Sequence, residues 1–370
     1  MVDPLRFALV GCGRISGRHI EALRRLEERS EARLVAVCDI RPERARAKGE
    51  ECRVPYYRDY HLMMREHPEI DVVNVLTPTG FHAREVVALA PYGKHIVVEK
   101  PMALTVEDCD AMMHACDEHG CRLFVVKQNR YNPAVVALRT AFEAGRFGKL
   151  VLGTVRVRWC REQSYYDQDD WRGTWQLDGG VLSQQASHHV DLLQWFMGPI
   201  ETVQCMMATR LVRIEAEDTA VATLRFVSGA LGVIEATTAA RPSDLEGSLS
   251  ILGEKGAVVL GGFAVNKIVT WQFKEKLAED DWIAERASSE VPNVYGFGHG
   301  PYLAHVVDAI RNRKQALVDG IVGRKNVEIL SALYESAATG APVHLAYRAR
   351  RCPLGRPRGE PLVEERLPEK

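Results

Sequence analysis

The feature that most constrains this chain is a change of hydrophobic periodicity near residue 150. Before it, short apolar runs alternate with helical stretches. Arg6 to Val10, Leu34 to Cys38, Val72 to Leu76, Ile96 to Val98 and Leu123 to Val126 read as strands, with helices over Ile15 to Glu28, Phe81 to Ala90 and Val106 to Glu118. Strands this short and almost continuously apolar are buried on both faces, the mark of a parallel sheet covered by helices. After it, Val151 to Trp159, Val203 to Ile214, Thr219 to Phe226 and Ala230 to Thr238 alternate residue by residue. Such strands bury one face and leave the other free, as antiparallel strands do. Helices return at Ser187 to Phe196, Tyr302 to Arg311 and Arg324 to Ala338. The expected fold is α/β: a doubly wound parallel sheet of Rossmann type, then an α+β domain on a large open, mostly antiparallel sheet. The expected division is 1–128, 129–350 and a loose tail over 351–370, where proline and charge are concentrated.

At 370 residues the chain can build two cores. A formal charge of −1 gives no overall attraction for nucleic acid or a membrane surface. No apolar run reaches the roughly 18 residues of a spanning helix, and the N-terminus MVDPLRFALVGCG reads as a first strand, not as a signal peptide. The nine cysteines are dispersed without a CxxC pair, which fits buried thiols in a reducing cytoplasm. His188, His189 and Asp191 have spacing that a metal tolerates, but no further ligands accompany them, and no metal is expected.

The first strand runs into Gly11-Cys12-Gly13-Arg14-Ile15-Ser16. Two glycines let the backbone turn tightly and approach a pyrophosphate at the next helix N-terminus. Gly11, Gly13, Arg14 and Ile15 are therefore candidate cofactor contacts; Ser16 stands where a third glycine or alanine is usual. Asp39 directly follows the second strand, where a carboxylate accepts hydrogen bonds from a ribose and repels a 2′-phosphate. It selects NAD over NADP, with Arg41 a weak argument the other way. Pro78 turns the chain out of the sheet after the next strand, which makes Thr77, Pro78 and His82 cofactor candidates; helix-terminus hydrogen bonding is the plain alternative for His82. Glu99-Lys100-Pro101 ends an apolar strand at the edge where parallel sheets bind ligands. Lys100 can steady the oxyanion character that develops as an alcohol is oxidised, against the simpler reading of a surface pair with Glu99. Asn129 and Arg130 leave the last strand of the first domain at the same edge. Gly179-Gly180 and His188 bring in an imidazole suited to proton transfer near neutrality. Arg156, Arg158, Arg161, Tyr165 and Tyr166 offer cations for a diphosphate or carboxylate and rings for stacking, or else ordinary cross-strand pairs on an exposed sheet.

GCGRIS with His19, TPTGFH, VVEKP, Trp171-Arg172 and the GG…H segment, in this order, resemble the Gfo/Idh/MocA oxidoreductases over residues 5 to 345. The resemblance implies a Rossmann domain followed by an open-sheet domain whose free face makes the oligomer contact. It further implies a cis peptide before Pro101, a nicotinamide-side contact from Trp171 and Arg172, and Lys100 with His188 as the catalytic pair. Many members carry Asp four residues before the histidine; here that position is Gln184, which can hydrogen-bond substrate but carries no charge. This departure, with VVKQNRYNPAV and SQQASHHVDLLQWFMG, resembles the subgroup that oxidises C3 of UDP-N-acetylglucosaminuronic acid for surface-polysaccharide (lipopolysaccharide O-antigen) synthesis. The resemblance implies NAD, a UDP-sugar acid held by Lys100, Asn129, Arg158, Tyr165, Gln184 and His188, and a homotetramer. The alternatives are a free-polyol dehydrogenase of inositol type and a non-catalytic NAD-binding regulator on the same fold. Met206, Leu211, Ala222 and Leu224 at nominally outer strand positions point to a covered sheet face.

Overall fold

The computed structural model describes residues 3–291, 296–345 and Leu354. The expected tail over 351–370 therefore lies outside the described residues, Leu354 apart. The chain forms two compact units, Met1–Val136 with Ser289–Val327, and Ala137–Ser288 with Glu328–Lys370.

The first unit holds strands β1 (Leu5–Val10), β2 (Ala32–Cys38), β3 (Tyr56–Tyr57), β4 (Val72–Val75), β5 (His95–Val98) and β6 (Leu123–Val125). They form a six-stranded sheet in the order β3-β2-β1-β4-β5-β6, and every pairing is parallel. Helices α1 (Ser16–Glu27), α2 (Pro42–Cys52), α3 (Tyr60–Glu66), α4 (Thr79–Leu89) and α5 (Val106–Glu118) make the crossovers. Phe7, Leu9, Val72, Val73, Ile96 and Val97 have no exposure at all, as a sheet covered on both faces requires. The strand order reverses between β1 and β4, and that switch point is where a doubly wound sheet opens its crevice. Residues 289–327, which the sequence division placed with the second domain, pack on this unit. Tyr302, Leu303 and Val306 share an apolar cluster with Phe7, Leu9, Leu23 and Phe124, and Asp319 bridges to Phe124.

Helix α6 (Pro133–Glu143) leads to the second unit, with β7 (Leu150–Arg158), α7 (Gln163–Tyr166), a π-turn over Val181–Gln185 and α8 (Ser187–Met197). Strands β8 (Ile200–Ala208), β9 (Thr219–Phe226), β10 (Leu231–Thr237), β11 (Glu246–Gly253), β12 (Gly256–Gly261) and β13 (Lys267–Phe273) follow. Helix α9 (Ile283–Ala287) comes next, then α10 (His299–Arg311) of the first unit, and α11 (Gly320–Thr339) and β14 (Val343–His344) are the last elements among the described residues. The eight-stranded sheet runs β13-β12-β11-β7-β10-β9-β8-β14, antiparallel except for β7 against β10. Helix α8 covers one face: a side chain on Gly153 would sit 2.7 Å from Leu193 and 2.6 Å from Met197. Two sequence expectations need correction. Ala222 and Leu224 are buried on the inner face, because β9 turns its even positions inward. The run Val203 to Ile214 stops being strand at Ala208, where the Asp218 carboxylate accepts from the backbone N–H groups of Arg210 and Leu211 and draws the chain out of the sheet. Among the described residues no helix is long and apolar enough to cross a membrane.

Candidate active site

In the first unit the glycine turn is a cradle built from close backbone contacts. Gly11 has φ +102°, and a Cβ there would lie 2.8 Å from the Leu76 carbonyl carbon, so no other residue fits. A Cβ on Gly13 meets nothing within 4 Å, which leaves its outer side open to a ligand. Ser16 resolves its departure from the usual glycine by being fully buried and donating its hydroxyl to the Gly13 carbonyl at 2.7 Å. The first turn of α1 has neither an acidic residue nor a side-chain cap, so its N–H groups suit a phosphate. Arg14 is exposed and Ile15 half-buried on this turn. Asp39 holds the cradle from the end of β2, accepting from Cys12 N–H at 2.7 Å and Arg41 N–H at 2.8 Å. The Asn129 side-chain oxygen, buried just beyond β6, has no hydrogen-bond partner among the described residues. An open glycine, an uncapped helix start and a buried orphan acceptor at one sheet edge fit a dinucleotide.

Lys100 leaves β5 through a cis peptide to Pro101 and is gripped on both sides. Its N–H donates to Glu99 Oε2 at 3.0 Å. The other Glu99 oxygen meets His19 Nε2 at 3.0 Å and His299 Nε2 at 3.6 Å. Burial alone would raise the Glu99 carboxyl, but the hydrogen bonds and charges of His19 and His299 hold it well below the usual carboxylate range. The Asn74 side-chain amide lies 3.0 Å from His19 Nδ1 and holds the ring with Nε2 facing Glu99. His19, Glu99 and His299 have ligand atoms close enough for a metal, and Glu99 is hydrogen-bonded to His19. His82 grips the far side: Nδ1 lies 3.0 Å from the Pro101 carbonyl and Nε2 lies 2.8 Å from the Thr77 carbonyl. Burial pushes the His82 imidazole down. Both its nitrogens are thus turned to backbone, an arrangement that serves the loop more directly than a cofactor. Thr77 donates its hydroxyl to Glu85 at 2.5 Å, and burial raises that carboxyl to about 7. Pro78 precedes the first residue of α4 in an extended conformation.

In the second unit the sequence reading missed two buried carboxyls that organise the GG…H segment. Glu217 accepts from Leu182 N–H and the Tyr334 hydroxyl, each at 2.9 Å. A side chain on Gly180 would fall 2.1 Å from the Glu217 carbonyl, which explains the second glycine. Burial raises the Glu217 carboxyl to about 7. Asp178 accepts from Gly173 N–H at 2.8 Å and from the side-chain amide of Gln184. His188 lies on α8, 7% exposed, and His189 is fully buried against Trp159 with its imidazole pushed down by burial to about 4. The Arg172 guanidinium lies 4.6 Å from the Tyr165 ring and 4.5 Å from the Trp171 ring, and it donates to the Tyr165 hydroxyl at 3.0 Å. The structure thus gathers Tyr165, Trp171 and Arg172 into one stack.

Arg158 goes elsewhere. It sits on the sheet face opposite α8, donates to both Glu235 oxygens at 2.6 and 2.8 Å, and lies 3.3 Å from Glu246. The Glu235 hydrogen bonds raise its pKa, and its charge is already met by carboxylates. The cross-strand alternative is the one its geometry favours over a diphosphate contact.

Residues 5–127 match the NAD-binding Rossmann-fold model of the Gfo/Idh/MocA oxidoreductases, and residues 139–345 match the model of that family's C-terminal α/β domain. The WlbA dehydrogenase of Bordetella pertussis, solved with NADH and UDP-GlcNAcA, is 44% identical with a TM-score of 0.88, over 92% of this chain and 98% of that one. The WlbA dehydrogenase of Chromobacterium violaceum, in the same complex, is 41% identical with a TM-score of 0.86, over 93% and 98%. Myo-inositol 2-dehydrogenase of Thermotoga maritima is 31% identical over 262 residues, 69% of this chain and 74% of the relative.

Proposed function

Because the chain belongs to the Gfo/Idh/MocA oxidoreductase family, we propose that this NAD-dependent sugar dehydrogenase oxidises the C3 hydroxyl of UDP-N-acetylglucosaminuronic acid to the 3-keto sugar. The observation that carries the substrate is the likeness to two WlbA dehydrogenases, at 44% and 41% identity over nine-tenths of this chain, both bound to NADH and UDP-GlcNAcA. Bound NAD supplies the hydride acceptor, and Gly11, Gly13, Asp39 and Asn129 would hold it. Lys100, its backbone fixed through Glu99, donates to the C3 oxygen and steadies its growing negative charge. His188 takes the hydroxyl proton on a ring nitrogen as the hydride leaves C3, so one C–H and one O–H bond break and the carbonyl forms. The Tyr165, Trp171 and Arg172 stack serves the nicotinamide side, and Gln184 contacts the sugar. The same reading makes the protein cytoplasmic and homotetrameric, feeding a 3-keto sugar to an aminotransferase in surface-polysaccharide synthesis.

The second reading, oxidation of a free polyol, draws on the inositol dehydrogenase at 31% identity. Reduced-nicotinamide absorbance during incubation with NAD and either UDP-N-acetylglucosaminuronic acid or myo-inositol separates the two. Turnover of the UDP-sugar with inositol ignored is expected, and the reverse pattern would overturn the proposal.

A further inference from the structure

The carboxylate missing at position 184 is present at one remove. Asp178, 2% exposed, accepts from Gly173 N–H through Oδ2 and from the Gln184 amide nitrogen through Oδ1. The oxygen and nitrogen of a glutamine amide have nearly the same shape, so packing alone barely distinguishes the two orientations. Charge does, because a carboxylate accepts and never donates. Asp178 therefore takes the NH2 corner of Gln184 and turns the carbonyl corner the other way. Its second bond runs to the loop that carries Trp171 and Arg172, so one buried carboxylate ties together two segments of the site. Glu217 and Tyr166 also feel its charge.

We propose that Asp178 is a positioning residue that makes Gln184 a hydrogen-bond acceptor toward substrate, so that the site selects a sugar presenting a donor there, a hydroxyl or an acetamido N–H. This rests on Gln184 contacting the sugar, as in the function proposed above. The site has thus kept a negative group but moved it one amide away from the substrate.

The test exchanges the polarity of the pair. Asp178→Asn can keep both hydrogen bonds: its oxygen accepts from Gly173 N–H and its nitrogen donates to Gln184, whose amide must then turn over. Folding and NADH binding survive, while kcat/KM for UDP-N-acetylglucosaminuronic acid falls about 10- to 100-fold, the scale of one misdirected buried hydrogen bond. Adding Gln184→Glu restores an acceptor over an inward donor, and the double variant regains at least about tenfold over Asp178→Asn. A residue that merely held Gly173 in place would show no such rescue. A second readout needs no substrate. Gln184→Glu alone sets two carboxylates together and lowers Tm at mildly alkaline pH, and adding Asp178→Asn recovers it. Wild-type kcat/KM in Asp178→Asn, or a double variant no better than its parents in both kcat/KM and Tm, would overturn the proposal. If the wild-type enzyme ignores the UDP-sugar, the proposed substrate falls while the Tm recovery still decides the pair.

Discussion

Alcohol oxidation needs a group to hold the oxygen and a group to take its proton, and the proposed function gives these duties to Lys100 and His188. Lys100→Met and His188→Asn should each lower kcat on the order of 10² to 10⁴. NADH binding, followed by fluorescence titration, should stay near wild type in both. Gln184→Ala should lose less than either, because it removes a neutral contact. Wild-type turnover in His188→Asn would move the proton to another group. The glycine cradle and the place of Lys100 at a strand end were legible in the sequence because local grammar marks them: a lysine ending a buried strand, a glycine where the chain must pass a carbonyl. Asp178 and Glu217 were not, since their roles come from partners such as Gly173, Leu182 and Tyr334 that only folding brings to them. The pairing of Arg158 was not legible for the same reason, because Glu235 and Glu246 reach it from other strands.

At the scale of the element, the π-turn over Val181–Gln185 hangs on a carboxyl that prefers to be neutral. Glu217 ionises near 4.5 when unfolded and at about 7 when buried in the native protein. Its folded pKa is raised, so the native state holds the proton more tightly, and stability is lost as pH rises between those values. The loss is on the order of 3 kcal/mol. Glu217→Gln keeps an acceptor for Leu182 N–H and the Tyr334 hydroxyl and cannot ionise. Denaturant midpoints across this pH range should fall less steeply in the variant than in wild type; parallel slopes would contradict the assignment. Strands β11 and β12 escaped the sequence reading because glycines break their alternation. Two of those glycines lie where a side chain would strike a phenylalanine: a Cβ on Gly256 would meet the Phe273 ring at 2.2 Å, and one on Gly253 the Phe147 carbonyl at 2.4 Å.

Across the whole molecule, the outer face of the second sheet combines apolar and charged rows. Met206 is 76% and Val221 44% exposed on paired strands, with Leu231 also exposed on β10, the strand that brings Glu235 to the Arg156, Arg158 and Glu246 cluster. An apolar and ion-paired surface of this kind is expected to be covered by a second copy. Light scattering at micromolar concentration should report an oligomer, and Met206→Asp with Val221→Lys should shift it toward monomer. A wild-type monomer would remove the idea. The same sheet is two antiparallel halves joined along a single parallel seam, β7 against β10. The runs β8-β9-β10 and β11-β12-β13 close between near neighbours in sequence, but β7 meets its two partners, β10 and β11, only after the chain has passed through α8, β8 and β9 and returned. That detour has an entropic cost before any seam contact forms. The refolding rate of this unit is therefore expected to be set where β7 is seated between β10 and β11, with the two finished meanders a kinetic waiting room for that one strand.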